Sequence, residues 1–140
     1  MTHLPDTAVR TDAELEQFWR GLMGPLGFAR RALWLVFVED DGRVLRQIVE
    51  IGDLPAMPAH AEVEGFAGTM AGLREELGVD RLAFLLVRPG RGGADRGDRA
   101  WAAALHRAAR AAGVRCEPVH LATDTDLVPL PLDDLITNDR

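Results

Sequence analysis

Two short apolar runs constrain the fold of this chain most. Ala32–Val38 is rich in valine and aromatic residues, and Leu82–Val87 contains no polar residue. Runs of this kind favour buried β-strands, and they are much shorter than the ~18 apolar residues that suggest a membrane-spanning helix. The sequence therefore predicts a β-sheet, with Leu82–Val87 as its central strand.

Turn and helix signals place the other elements around these strands. Asp40-Asp41-Gly42 predicts a hairpin turn, because glycine accepts the positive φ that such turns need. Apolar residues at helical spacing predict three helices, and β-branched or apolar runs predict the remaining strands. The predicted helices are Asp12–Met23, Ala61–Leu77 and Arg99–Ala112, and the further strands are Val44–Ile51, Val114–Leu121 and Leu127–Leu130.

These elements predict one α/β domain, a mixed β-sheet flanked by helices in the order α-β-β-α-β-α-β-β. The chain has 140 residues, which lies in the ~100–200 range of a single domain. We expect the domain to span residues 11–132, between a flexible lead at 1–10 and a tail at 133–140. The lead lacks the apolar segment of a secretion signal, and the single cysteine, Cys116, excludes an intramolecular disulfide. A cytoplasmic protein is therefore expected, with no membrane contact.

The charge pattern excludes some partners and suggests others. Net charge is −6, which argues against general nucleic-acid binding. All 16 basic residues are arginine, a bias that we attribute to a GC-rich bacterial genome. Seven of these arginines, against two aspartates, lie between Arg88 and Arg115. Two readings stay open for this excess: a solvated helix face with a charged loop, or a surface that faces an anion.

The residues that carry metal or nucleophile chemistry are sparse. The chain has no serine, and its histidines and cysteine show none of the paired spacings of zinc sites. Cys116 and His120 fall on one face of a predicted strand, but roughly 13 Å apart at ~3.3 Å per residue, too far to share an ion unaided. We therefore expect no metal, no cofactor and no catalytic residue.

One loop, Arg88–Gly93, has chemistry that suits a phosphate. Its glycines expose backbone N–H groups, and the helix that follows presents an N-terminus, which favours anions. The spacing is neither that of a P-loop nor that of a dinucleotide fingerprint. The loop is either a mobile connection or an anion-binding pocket whose candidate residues are Arg88, Arg91, Asp98 and Arg99.

The element order, together with the hairpin segment Asp40–Leu45, resembles the RadC-like branch of the JAB/MPN metalloprotease fold over nearly the whole chain. In that family the strand before the loop ends in His-x-His-Pro, and an aspartate about ten residues later completes a zinc site. Aligned on Pro89, the two histidine positions hold Leu86 and Arg88, and Asp98 falls near the aspartate position.

The family's catalytic glutamate falls near Arg46-Gln47 in this chain, with Glu50 close by in sequence. Leucine cannot ligate zinc, and arginine places a cation where the metal would lie. The resemblance therefore implies the fold of a hydrolase without its activity. Arg88 is then expected either to bind an anion or, the reading we favour, to pair internally with Asp98.

Three hypotheses for function follow. The first is a non-catalytic JAB/RadC-like domain that acts as a protein-interaction module, with an unknown protein partner or as a homo-oligomer. The second is an anion- or nucleotide-binding domain that uses the Arg88–Gly93 loop. The third is a divergent hydrolase whose acid and base groups are Glu50, Asp98 and His120.

Overall fold

A mixed six-stranded sheet forms the centre of the computed structural model, which describes residues 8–23 and 28–130, with only the backbone at positions 46 and 47. Three helices flank the sheet, so the predicted fold class is confirmed at this level. In chain order the elements are α1 (Asp12–Met23), β1 (Ala32–Val38), β2 (Val44–Gly52), α2 (His60–Leu77), β3 (Arg81–Val87), α3 (Arg96–Ala111), β4 (Arg115–Cys116), β5 (Val119–Ala122) and β6 (Leu127–Leu130).

The strand order is β2-β1-β3-β5-β6, and β4 also pairs with β3. The pair β3–β5 is parallel and is joined through α3, whereas β1 runs antiparallel to both β2 and β3. β6 runs antiparallel to β5 at one edge of the sheet. The central place of β3 was predicted. The edge place of β6 suits Pro129, which has no N–H to donate to a neighbouring strand.

The alternation of side chains along β3 explains why helices cover both faces of the sheet. Leu82, Phe84 and Leu86 belong to a core that α2 and α3 cover, while Ala83 and Leu85 belong to a second core beneath α1. All five side chains are buried. A strand that is apolar on both faces requires a helical layer on each side.

The predicted strand Val114–Leu121 is in fact two strands, β4 and β5, separated at Glu117-Pro118. Leu82 pairs with Cys116 and Leu85 pairs with His120. Three residues along β3 therefore match four residues along the segment that contains β4 and β5. One extra residue reverses the alternation of faces. Cys116 therefore contacts the core under α2 and α3, while His120 lies on the α1 face. The prediction that the two residues share one face of a strand was wrong.

The third helix begins at Arg96, three residues before its predicted start at Arg99. Asp95 is the N-cap, and its carboxylate accepts a hydrogen bond from the Asp98 backbone N–H at 2.8 Å. The Asp98 carboxylate accepts one in return from the Asp95 N–H at 2.9 Å. This reciprocal capping box satisfies two N–H groups that the first turn would otherwise leave unbonded.

The end of the predicted lead belongs to the folded domain. Val9 is 1% exposed, and its N–H donates to the Gly42 carbonyl at 2.8 Å. The Arg81 guanidinium donates to the Val9 carbonyl at 3.1 Å. Val9 therefore contacts the domain whose start was predicted at residue 11, while 1–7 and the predicted tail at 133–140 lie outside the described residues.

Candidate functional site

The predicted site residues gather where β3 and β5 end and α3 begins. In sheets with parallel strands, ligands usually bind beyond the carboxyl ends of those strands. Arg88 follows β3, and Asp98 lies in the first turn of α3. Arg31 lies next to this cluster because it precedes β1, which is antiparallel to β3. The first residue of β1, Ala32, pairs with Val87 at the end of β3.

The Asp98 carboxylate is the buried centre of this cluster, with the residue 0% exposed. The Arg88 Nε donates to its two oxygens at 3.0 and 2.9 Å, and the Arg88 Nη2 lies 2.8 Å from Oδ2. The Arg31 Nη1 donates to Oδ1 at 3.1 Å. The internal pairing of Arg88 with Asp98 that the sequence favoured is thus present.

The Arg88 guanidinium also holds the loop that follows it. Its Nη1 donates to the Pro89 carbonyl at 3.2 Å, and its Nη2 donates to the Gly93 carbonyl at 3.1 Å. The hydrogen bond to Asp98 raises the pKa of Arg88 above its ordinary value. All three guanidinium nitrogens therefore already donate to groups of the domain, which favours a structural role.

Asp124 is a site residue that sequence reasoning missed. Its carboxylate accepts from the Gly90 N–H at 2.8 Å and from the Phe28 N–H at 3.0 Å. These two backbone hydrogen bonds hold the pKa of Asp124 below its ordinary value. No local signal in the sequence identifies Asp124, because its place depends on the pairing of β5 with β3.

The two features that suggested an anion site are thus bonded to carboxylates of the chain itself. Asp124 accepts from an N–H of the glycine loop, and the capping box covers the start of α3. Arg99 donates to the Ala94 carbonyl at 2.8 Å and so binds the loop as well. Of the four predicted residues only Arg91 is fully exposed.

The three groups of the hydrolase hypothesis do not share a cleft. Glu50, Trp34, Leu85 and His120 form one row across β2, β1, β3 and β5 on the α1 face. Three strand spacings of ~4.8 Å put Glu50 about 14 Å from His120. Asp98 lies beyond the other face, at the start of α3.

Metal ligands do not cluster in the described part of the chain: no group of three or more histidine, cysteine, aspartate or glutamate side chains could hold an ion there. None of the helices described here is long and apolar enough to cross a membrane. Comparison of the sequence with protein-family models and with curated proteins gives no match.

Proposed function

We propose that this chain is a non-catalytic α/β domain of the JAB/RadC-like type that works by protein contact, and that its partner is a second copy of itself. The observation that carries the proposal is the outer edge of β2. This strand has nine residues and, within 8–23 and 28–130, pairs with β1 along one side only. An unpaired edge presents N–H and C=O groups that another strand can bind.

The side chains along this edge are apolar and incompletely covered. On the face that α1 covers, Val44 and Ile48 are only partly buried, and so is Trp34 on the neighbouring strand. The helix on that face, α1, contacts β6 at the far edge of the sheet. On this face the β2 edge is therefore less covered than the β6 edge, as expected for a surface that another chain completes.

The sequence of β2 favours one register for antiparallel self-pairing. A two-fold axis at Ile48 puts position 46 opposite position 50, an arginine opposite a glutamate. Opposite charges across a strand pair stabilise it, and like charges destabilise it. An axis at Glu50 would instead put two glutamates opposite each other.

The non-catalytic part of the proposal is supported by the Arg88–Asp98 pair. The resemblance gives these two positions to zinc ligands, and here one is a cation whose nitrogens all donate within the domain. Anion binding by the Arg88–Gly93 loop has less support, because the polar groups of that loop are bonded to Asp124 and Asp98.

The test is the molar mass in solution, measured by light scattering after size exclusion from micromolar to millimolar concentration. We expect a dimer for the wild type and a monomer for Ile48→Lys, which adds a charge to the edge. The matched control is Met57→Lys, because Met57 is 49% exposed and lies outside the sheet. A wild type that stays monomeric up to millimolar concentration would show that the proposal is wrong.

A charge swap tests the register separately. Glu50→Arg alone and Arg46→Glu alone should each weaken the dimer, because each puts like charges opposite one another. The double variant restores opposite charges and should recover the wild-type mass. If neither single variant changes the mass of a dimeric wild type, the dimer does not use the register centred on Ile48.

A further inference from the structure

A cavity of about 540 Å³ lies at the opposite end of α3 from the candidate site. Small-molecule sites commonly measure ~300–1,000 Å³, so its size suits a small organic ligand. The cavity is formed where α3 ends and β4 begins. Its lining residues are His106, Arg110, Val114, Arg115, Cys116 and Pro118, together with Gly113.

Guanidinium groups converge on this cavity from two helices and a strand. Arg110 and Arg115 line it directly. Arg74, in the last turn of α2, also comes close, because a Cβ built on Gly113 would lie 3.5 Å from its Nη1. Arg115 is partly neutralised, since its Nη2 donates to Asp40 at 2.9 Å and to Asp80 at 3.3 Å. Arg110 forms no ion pair with any carboxylate in the described part of the chain.

His106 lines the same cavity and has an unbonded ring nitrogen. The Nε2 atom of His106 is shielded from solvent and has no hydrogen-bond partner among the described residues. The residue as a whole is only partly exposed. Burial and the nearby Arg110 lower the pKa of His106, so the ring is neutral near pH 7. A neutral imidazole can donate or accept one further hydrogen bond.

The rest of the wall is apolar. Val114 is 5% exposed, and Pro118 lies beside it in the lining. Cys116 adds a neutral thiol rather than a thiolate, since burial raises its pKa to about 12. A site with cationic groups on one side and an apolar wall on the other is complementary to a molecule that has an anionic group and an apolar part.

We propose that this cavity binds a small organic anion, a carboxylate or a phosphate monoester attached to an apolar body. Arg110 supplies the main contact to the anionic group, with Arg74 nearby, and Val114 and Pro118 contact the apolar body. The guanidinium groups must provide the attraction, since the carboxyl ends of α2 and α3 lie here and helix C-termini disfavour anions.

The test is isothermal titration with phenyl phosphate, benzoate, inorganic phosphate and benzyl alcohol. We expect phenyl phosphate or benzoate to bind, the bare ion to bind more weakly and the neutral alcohol to bind weakest. Arg110→Met should weaken the binding of the preferred anion about tenfold, the loss typical of one charge-assisted hydrogen bond. Arg107→Met is the matched control, because Arg107 is an exposed arginine of the same helix outside the lining.

The result that overturns the proposal is equal weakening by the two variants, because both remove one positive charge. Absence of wild-type binding to every anionic probe up to its solubility would overturn it as well. Amide NMR shifts locate the binding independently of any variant. Shifts at residues 110–118 support the cavity, whereas shifts confined to residues 88–93 place the anion at the loop. The dimer edge of β2 shares no residue with this cavity, so the two proposals fail separately.

Discussion

Asp98→Asn tests whether the buried ion pair stabilises the domain. The substitution keeps the shape of the side chain but puts an amide N–H₂ where a carboxylate oxygen accepts hydrogen bonds. Two guanidinium groups, those of Arg88 and Arg31, then face a neutral group. The side chains of Asp98 and Arg88 are 1% and 9% exposed, so water cannot readily replace the lost charge.

The expected loss follows from this burial. Breaking a buried pair by removing one partner typically costs about 3–5 kcal/mol, because it leaves an uncompensated buried charge. Most domains unfold with only about 5–15 kcal/mol in total. Asp98→Asn should therefore remain folded, but with a large share of its free energy of unfolding removed.

The assay is urea unfolding followed by tryptophan fluorescence, with Trp101, a core residue of α3, as a reporter. The control is Arg20→Met, which breaks an exposed ion pair with Glu16, where the side chains are 55% and 36% exposed. Such pairs contribute about 0–1 kcal/mol. If Asp98→Asn loses no more free energy than Arg20→Met, the pair does not hold the loop as argued.

Three further predictions concern protonation, the hairpin turn and metal content. Burial holds the pKa of His120 below its ordinary value of 6.5, so the unfolded state protonates first and stability should fall as the pH drops below 6.5 toward the folded pKa. His120→Leu should flatten this part of the profile of unfolding free energy against pH, and an unchanged slope would assign it to other groups. Gly42→Ala should lower the free energy of unfolding, measured with urea, by more than about 1 kcal/mol, since φ is 93° and a Cβ would lie 3.0 Å from the Val9 carbonyl oxygen. Purified protein should carry no stoichiometric zinc, and elemental analysis giving one zinc per chain would contradict the non-catalytic proposal.

The elements of the fold could be predicted where local patterns are strong. The apolar run of β3, the spacing of α1 and the hairpin glycine each gave the element that the structure contains. The boundaries that went wrong depend on longer-range contacts or on one special residue. Pro118 divides a strand that otherwise reads as continuous, and Val9 is ordered by its contact with the distant hairpin turn.

Half of the candidate site could be predicted in the same way. Arg88 and Asp98 are separated by one loop, so a strand followed by a capped helix brings them together. Arg31 and Asp124 could not be predicted, since their places depend on which strands flank β3. Pairing of β1 and β5 with β3 involves residues far apart in the chain, and no local pattern reports it.

The arginines between Arg88 and Arg115 fall into two groups with different bonding, one at each end of α3. At the amino end of the helix, Arg88 and Arg99 donate to Asp98 and to loop carbonyls, so their charges and hydrogen bonds hold the structure together. At the carboxyl end, Arg110 and Arg115 border a cavity. A count of charges along the chain cannot separate these two situations, because both contribute equally to it. Their bonding does separate them: an anionic ligand fits the carboxyl end of α3 better than the glycine loop, because Arg110 there forms no ion pair with any described carboxylate.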